Sequence, residues 1–462
     1  MSQADNKKVL IIAGEYPPIK TIGRLRTAKF SQHLLANGWT PIIVTLETDA
    51  NTHDSSLENE IPQGLEIYRV KKPDLEKIIV NKIKALLNKP PEKSAVTLSK
   101  NADIKPQNEQ ISPKQGFSPR DSAIHLFKQI LKYLVYIPDD FNLWAYQAEK
   151  VAEEICKKHD IAVIYTTLPP FSSCHVGYKI KQKFNIPWVV DYRDLWYGDV
   201  LREWIPTFRQ KIELLLEKRY MHKADAIISV SEQKTEFLQK LIPDSKALWE
   251  TITNGYDNEI FEPLLAQPRK TDEYINFVYT GRLFKNRRGY AFAEALGQLC
   301  KETPELKKQV RVHILGGVAP EIQQQYQRIL QQYDITENYN FTGDISYHKA
   351  MQAQVDTDYL LLIVDTGMTS DGVIPGKLFE YIASRRPIFA LTDPGATQEI
   401  IEKSGAGIVV PAESVEHCKK ALKKLLQQDI ADSYQPDEDY LKQFDRKILT
   451  ARLANLFNHV MN

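Results

Sequence analysis

Cysteine is scarce in this sequence. Its four cysteines, Cys156, Cys174, Cys300 and Cys418, are spread over 462 residues and form no CxxC pair. Neither a disulfide framework nor a zinc site is indicated, and a reducing cytoplasm suits such a chain. Long apolar runs are also missing. No stretch of about 18 apolar residues occurs, so no helix is expected to cross a bilayer. The first apolar run, 9–13, is too short for a secretory signal and suits a buried strand. Nor is there an excess of charge of one sign. A formal net charge of +1 argues against bulk nucleic-acid binding, although local basic patches remain open. With 43% hydrophobic residues the chain can fill a core, and its length suggests about two or three domains.

Two ligand motifs are absent as well. The first strand-to-helix turn lacks GxGxxG, so the dinucleotide fingerprint is missing. No DxD-like pair stands in a convincing strand-end context, and Asp191-Tyr-Arg-Asp194 has only the spacing. No metal is therefore expected.

What is present is alternation. Apolar runs at 9–13, 41–46, 161–165, 187–191 and 226–230 read as parallel strands buried in a sheet, and 66–70 as a short alternating strand. Helical patterns separate them at 21–37, closed by Gly38, and at 144–157, 172–184, 207–222 and 232–241. Residues 251–255 read as a strand end and turn. After a polar linker at 267–273 the pattern restarts, with strands at 276–280, 310–315, 339–343, 359–364, 387–391 and 407–411. A last helix, 448–460, has no strand after it. Three segments interrupt the first half. Residues 76–88 and 122–136 form amphipathic helices, for which core packing is favoured over membrane contact. Residues 89–120, rich in Pro, Lys, Ser, Gln and Asn, read as a flexible insertion. The fold expected is α/β: two doubly wound parallel-sheet domains facing a cleft.

The chain is organised around 371–384. A buried strand leads through a Gly/Pro turn into a helix, which offers free amides and a positive dipole end to an anion. Gly376 allows close approach, Lys377 adds charge, and Glu380 stands one turn in, where it can accept from sugar hydroxyls. A nucleotide's phosphate and ribose fit that pattern. Arg282 and Arg288 share one glycine-bounded loop after a strand, so both can face one anion and grip it bidentately. In the first half, Ser172, Asp191 and Arg193 lie at strand ends, where open α/β sheets bind ligands. The alternative for Asp191, Arg193 and Asp194 is an ion-pair network that holds loops.

The motifs together resemble a family-4-type glycosyltransferase of the GT-B fold. They are Tyr16-Pro-Pro with Gly23-Arg24, Pro169-Pro-Phe-Ser172, Asp191-Tyr-Arg-Asp-Leu-Trp196 and Thr253-Asn254-Gly-Tyr-Asp257. The second half adds Thr280-Gly281-Arg282-Leu283 with Arg288-Gly289, Pro375-Gly-Lys-Leu-Phe-Glu-Tyr381 and Gly405-Ala-Gly-Ile-Val-Val-Pro411. The likeness covers the chain apart from 89–120.

The resemblance implies retaining, metal-independent transfer from a nucleoside diphosphate sugar, with no other cofactor. Arg282, Arg288 and Glu380 would be the catalytic set. Gly23, Asn254, Gly281, Gly343, Ile345, Asp371, Gly376, Lys377 and Leu378 would bind the donor. Tyr16, Arg24, Ser172, Asp191 and Arg193 would line the acceptor side. The acceptor would be a cell-surface glycan or lipid-linked, handled in the cytoplasm or peripherally at the inner membrane face. Residues 1–262 would form the acceptor-side domain, 263–445 the nucleotide-sugar domain, and 446–462 a helix crossing back. Departures also show. The family's E-x7-E pair keeps Glu380 but has Gly372 at the first position, so contact with the donor sugar falls to Asp371, Ser370 or loop amides. The double-glycine opening is reduced to Ile22-Gly23. Thr167-Leu-Pro-Pro170 stands where a histidine is common, with His175 on the following helix. A degenerate sugar-nucleotide-binding scaffold and a GT-B-fold epimerase are the rival readings.

Overall fold

The computed structural model describes residues 7–21, 23–48, 52–74, 135–199, 202, 204–367, 370–427 and 434–462. The expectations for 76–88, 89–120 and 122–134 lie outside the described residues. Two sheets organise the chain. The first holds β1 (Lys7–Ile12), β2 (Trp39–Leu46), β3 (Glu66–Val70), β4 (Ile161–Leu168), β5 (Trp188–Tyr192), β6 (Ala226–Ser229) and β7 (Leu248–Thr251). The second holds β8 (Ile275–Thr280), β9 (Val310–Leu315), β10 (Tyr339–Gly343), β11 (Tyr359–Ile363), β12 (Ile388–Leu391) and β13 (Gly407–Val410). Their spatial orders are β3-β2-β1-β4-β5-β6-β7 and β10-β9-β8-β11-β12-β13, and the pairings are parallel.

The strands form where β-branched and aromatic residues run together. Helices on both faces bury them, so Val9, Leu10, Ile11 and Ile12 of β1 are sealed from solvent. Burying each such side chain contributes roughly 1.5–3 kcal/mol. The helices that matter below are α1 (Arg24–Leu34), α2 (Asn142–Lys158), α3 (Ser173–Phe184), α4 (Thr207–Met221), α5 (Glu232–Leu241), α6 (Asn258–Leu265), α7 (Tyr290–Glu302), α8 (Pro320–Tyr333), α9 (Tyr347–Asp356), α10 (Gly376–Ala383), α11 (Ala396–Ser404), α12 (Val415–Gln427) and α13 (Arg446–Val460).

The seventh strand, Leu248–Thr251, ends at Thr251, where the sequence places a strand end and turn. One local reading needs correction. Helix α6 was not expected: it runs through Pro263 and packs Phe261 and Leu264 into the core of the second domain.

The chain crosses between the sheets twice. It leaves the first domain at Thr251 and, after the second sheet is complete, α13 returns to the first. Phe457 of α13 meets Trp39 at 5.1 Å and Tyr165 at 5.9 Å between ring centroids. Leu449 and Leu453 join the same core as Val9 and Ile11. Asp257 pins the crossing, with Lys29 at 3.2 Å and Arg446 at 2.7 Å. Burial alone would raise its carboxyl, but the His33 hydrogen bond and the Arg446 and Lys29 charges hold it well below the usual range.

Candidate functional site

Each sheet reverses its winding once, between β1 and β4 and between β8 and β11. Ligands of open α/β sheets bind outside the carboxyl ends of the strands at such points. The two strand-end regions are built differently.

In the second domain, β11 leads through the 3-10 turn Ser370–Gly372 to Pro375, and α10 begins at Gly376. A Cβ at Gly376 would have nothing within 4 Å, so the helix opens onto space. The Gly376 and Lys377 amides have no partner among the described residues. Leu378, also expected to offer its amide, instead donates it to Pro375 O at 2.9 Å.

Lys377 is the centre of the region. Its Nζ is sealed from solvent, lies 4.0 Å from the Tyr279 ring centroid and has no hydrogen-bond partner among the described residues. Burial, and then the Arg287 charge, hold the ammonium well below the usual lysine range. Gly281, at φ 122°, makes room: a Cβ there would stand 2.5 Å from Nζ. Glu380 is one turn on. Burial raises its carboxyl, opposed by a 3.4 Å bond from Gln354 Nε2 and by the Arg446 and Lys377 charges.

The two arginines expected on one anion diverge. The Arg282 side chain stays 74% exposed and pairs with Asp344 at 3.1 Å, while Asp344 also accepts from Gly317 N. Arg288 pairs with Glu413 at 2.8 Å near α12. Its carbonyl accepts from Tyr326, and Gly289, in the left-handed region, turns the chain into α7. Arg287 takes the inward place. It grips Asp365 bidentately at 2.6 and 3.1 Å, while Tyr279, the ring beside Lys377, donates its hydroxyl to Arg282 O at 2.9 Å. The reason is the tight reversal at Phe284–Arg287, whose backbones exchange two hydrogen bonds. Lys285-Asn286 is its only sequence signal, and that signal puts Arg287, not the residue beside the glycine, at the turn exit.

Other donor-side residues are placed as follows. Gly343 adopts φ 71° with open space beside it, and Ile345 packs on the core under α10. Asn254 touches Arg26 at 3.5 Å. Gly23 gives its carbonyl to Arg193, and a Cβ there would collide with Glu15 and Arg193. Asp371 accepts from Gly372 N at 3.0 Å. Gly372 faces α5: its carbonyl accepts from Ser231 Oγ at 2.8 Å, and a Cβ there would be 3.0 Å from Lys234. A glutamate at this position would have to push the Lys234 side chain aside.

The acceptor-side expectation needs the larger correction. Tyr16, Ser172 and Asp191 are buried, and Arg193 is 9% exposed. Asp191 takes Arg26 bidentately at 2.7 and 2.9 Å and also accepts from Tyr165 OH. Arg26 also donates to the carbonyls of Ile252 and Thr253. Arg193 donates to the carbonyls of Gly23, Pro169 and Leu168. Tyr16 meets Ser31 at 2.8 Å, and Arg24 meets Glu60 at 2.9 Å. Ser172 precedes α3, but that helix end is filled by Asp139, which accepts from the Phe171 and Ser172 amides and from Ser172 Oγ. These groups hold the domain's own loops: the carbonyls of Gly23, Leu168, Pro169, Ile252 and Thr253 lie close to the strand ends and take the guanidinium donors of Arg26 and Arg193. Arg26, unnoticed in the sequence, is the hub.

Residues 275–428 match the family described as glycosyl transferases group 1. No curated protein sequence matches the chain significantly. Among solved structures, sucrose-phosphate synthase of Thermosynechococcus elongatus is similar at 18% identity and TM-score 0.61, with 98% of each chain covered. The fold is GT-B. A glycosyltransferase of Rickettsia africae shares the GT-B architecture at 13% identity and TM-score 0.63, covering 99% of each chain. HepE of Anabaena, solved with UDP and glucose, does so at 12% and 0.58, covering 98% of this chain and 100% of its own. At these identities the likeness speaks for the GT-B fold. The group 1 match falls on the sheet that carries Lys377.

Proposed function

We propose that this chain is a family-4-type glycosyltransferase. It moves a sugar from a nucleoside diphosphate sugar to a glycan or lipid-linked acceptor, with retention and without a metal. The observation that carries the reading is Lys377. A buried ammonium with no hydrogen-bond partner among the described residues, at an open helix N-terminus, is costly unless an anion completes it. A diphosphate supplies the two negative centres that Lys377, the Gly376 and Lys377 amides and Arg287 would meet. Arg282, exposed and loosely paired, would close on the far side. As the sugar leaves, charge grows on the diphosphate, and these fixed cations stabilise it without reorganising. Glu380 would accept from the ribose hydroxyls. UDP and glucose in the HepE structure support a ligand of this class.

The test is a thermal-shift series with UDP, GDP, ADP, CMP and dTDP, each with and without EDTA. A nucleotide at about a hundred times its Kd stabilises by roughly 2.7 kcal/mol. One nucleotide should act, indifferent to EDTA, and its effect should vanish in Arg282→Ala. No shift with any nucleotide would overturn the reading, and a shift that needs metal would overturn metal independence. Gly372 in place of a glutamate motivates one rival, a donor-binding scaffold without turnover. That rival predicts the thermal shift but no sugar transfer to any acceptor or to water.

A further inference from the structure

Helix α4 is built inside out. Its charged residues Arg209, Glu213 and Glu217 are buried at 3%, 3% and 0% exposure, while Phe208, Ile212 and Leu215 stand 50%, 46% and 71% exposed. The inward set is paired within the core, apart from one carboxylate oxygen of Glu217. Glu213 accepts from Arg209 Nε at 2.6 Å, from Trp196 Nε1 at 2.9 Å and from Arg202. Glu217 accepts from Tyr192 OH at 3.0 Å, and burial pushes its carboxyl up to about 8. Both acids of the helix therefore face the core.

What remains outside is apolar and cationic. Phe208, Ile212, Leu215 and Arg219 recur at helical spacing along one line, with Lys211 beside them. The exposed residues of α4 are Thr207, Phe208, Lys211, Ile212, Leu215 and Arg219, with no acid among them, and exposed His222 and Lys223 follow. Trp204, half exposed, precedes the first turn with its ring 6.0 Å from the Arg209 guanidinium. Elsewhere in the described residues, exposed large apolar side chains such as Leu248, Tyr347 and Ile448 are far apart in sequence and line up on no single helix face. A continuous apolar stripe on a helix surface marks an interaction face.

We propose that this face of α4, with Trp204, docks the protein on a membrane that carries anionic lipid. Three features select lipid. The apolar line is flanked by long cationic side chains, whose stems can lie along it while their heads reach phosphates. The indole at the end of the stripe is suited to the boundary between headgroup and acyl chain. A two-fold contact between copies would instead set Lys211 and Arg219 against their own counterparts, with no acid on the helix face to relieve them. Helix α4 follows β5 in the chain, so Trp204 and Phe208 come in the connection that leaves the carboxyl end of that strand. The inference stands independently of the sugar-transfer reading.

Flotation of the full chain with phosphatidylcholine vesicles, and with vesicles that also contain phosphatidylglycerol, tests it. Binding should require the anionic lipid and weaken with salt. Ile212→Glu combined with Leu215→Glu should reduce binding by at least about tenfold. Lys211→Gln and Arg219→Gln should each reduce it about fivefold. All of these positions are exposed, so the thermal midpoint and any nucleotide-induced shift should be unchanged. Trp204 is the readout that a merely structural role would not move: its emission should shift blue on anionic vesicles and be quenched by brominated lipid. Failure of the native chain to float, or equal flotation of the Ile212→Glu/Leu215→Glu variant, would overturn the proposal. So would a dimer in solution that the double variant disperses, since that assigns the stripe to a second copy.

Discussion

The two strand-end regions carry similar residues and do opposite things. Around Asp191, in the first domain, each buried charge meets a partner of its own chain. Arg26 has a carboxylate, two carbonyls and a neighbouring amide oxygen, and Arg193 has three carbonyls. Around Lys377, in the second, the buried amine has the Tyr279 ring but no hydrogen-bond partner or ion pair among the described residues. The helix ends repeat the contrast. Asp139 fills the N-terminus of α3 with a carboxylate from the protein, whereas that of α10 opens onto space. Position at a strand end therefore does not separate a ligand site from a structural prop. The unmet demand for a counter-charge does.

The contrast is broken most severely by removing a partner on the satisfied side. Asp191→Ala leaves Arg26 buried beside nothing but carbonyls, and should cost about 3–5 kcal/mol in denaturant unfolding. The fraction that stays folded should still bind nucleotide. An unchanged midpoint would mean that the network is ornamental.

Lys377→Met should give the opposite pairing of effects. Losing an electrostatic contact to the leaving group should lower turnover by about 10²–10³, and the nucleotide-induced shift should vanish. Stability without ligand should hold or rise, because an unpaired buried cation has gone. The sign of the pH effect follows from the same group. Its pKa in the folded state lies below that of the unfolded chain, so it opposes folding below that range and ceases to do so as pH rises through the ordinary lysine region. An anion bound beside it favours the protonated form. Nucleotide binding should therefore take up protons, which calorimetry in buffers of different ionisation enthalpy would detect, and affinity should fall as pH rises.

Within the second domain, Arg287 and Arg288 sharpen the comparison further. Arg287→Lys keeps charge but loses the fork on Asp365, and should weaken nucleotide binding by about tenfold. Arg288→Lys, on an exposed partner, should change it less than about twofold.

These residues show how far the sequence could be read. The fold was legible because strands buried on both faces are written as continuous apolar runs, and the order in which they alternate with helices leaves few topologies. Lys377, Gly376 and Glu380 were legible because a strand, a glycine turn and a helix start define one local geometry. Arg287 was not, since the choice between neighbours depends on a reversal at Lys285-Asn286 that only the folded loop reveals. The roles of Asp191, Arg193 and Ser172 were not, because whether a strand-end charge faces solvent or a loop carbonyl depends on how loops 14–21 and 168–172 settle. Helix α4 hid its character for the same reason: its acids and apolar residues are both periodic, and only packing shows which set turned inward.

Helix α13 sets an order in time. It closes the hydrophobic layer that β1, β2 and β4 leave open, yet it is made after the second sheet. The first domain to leave the ribosome is thus among the last to be finished. Until residues 446–460 arrive, Trp39 and Tyr165 lack the Phe457 ring and the core that α1 begins is only partly covered. A nascent chain stalled short of α13 would hold a formed sheet with a half-covered face, and chaperones would be expected to bind it there.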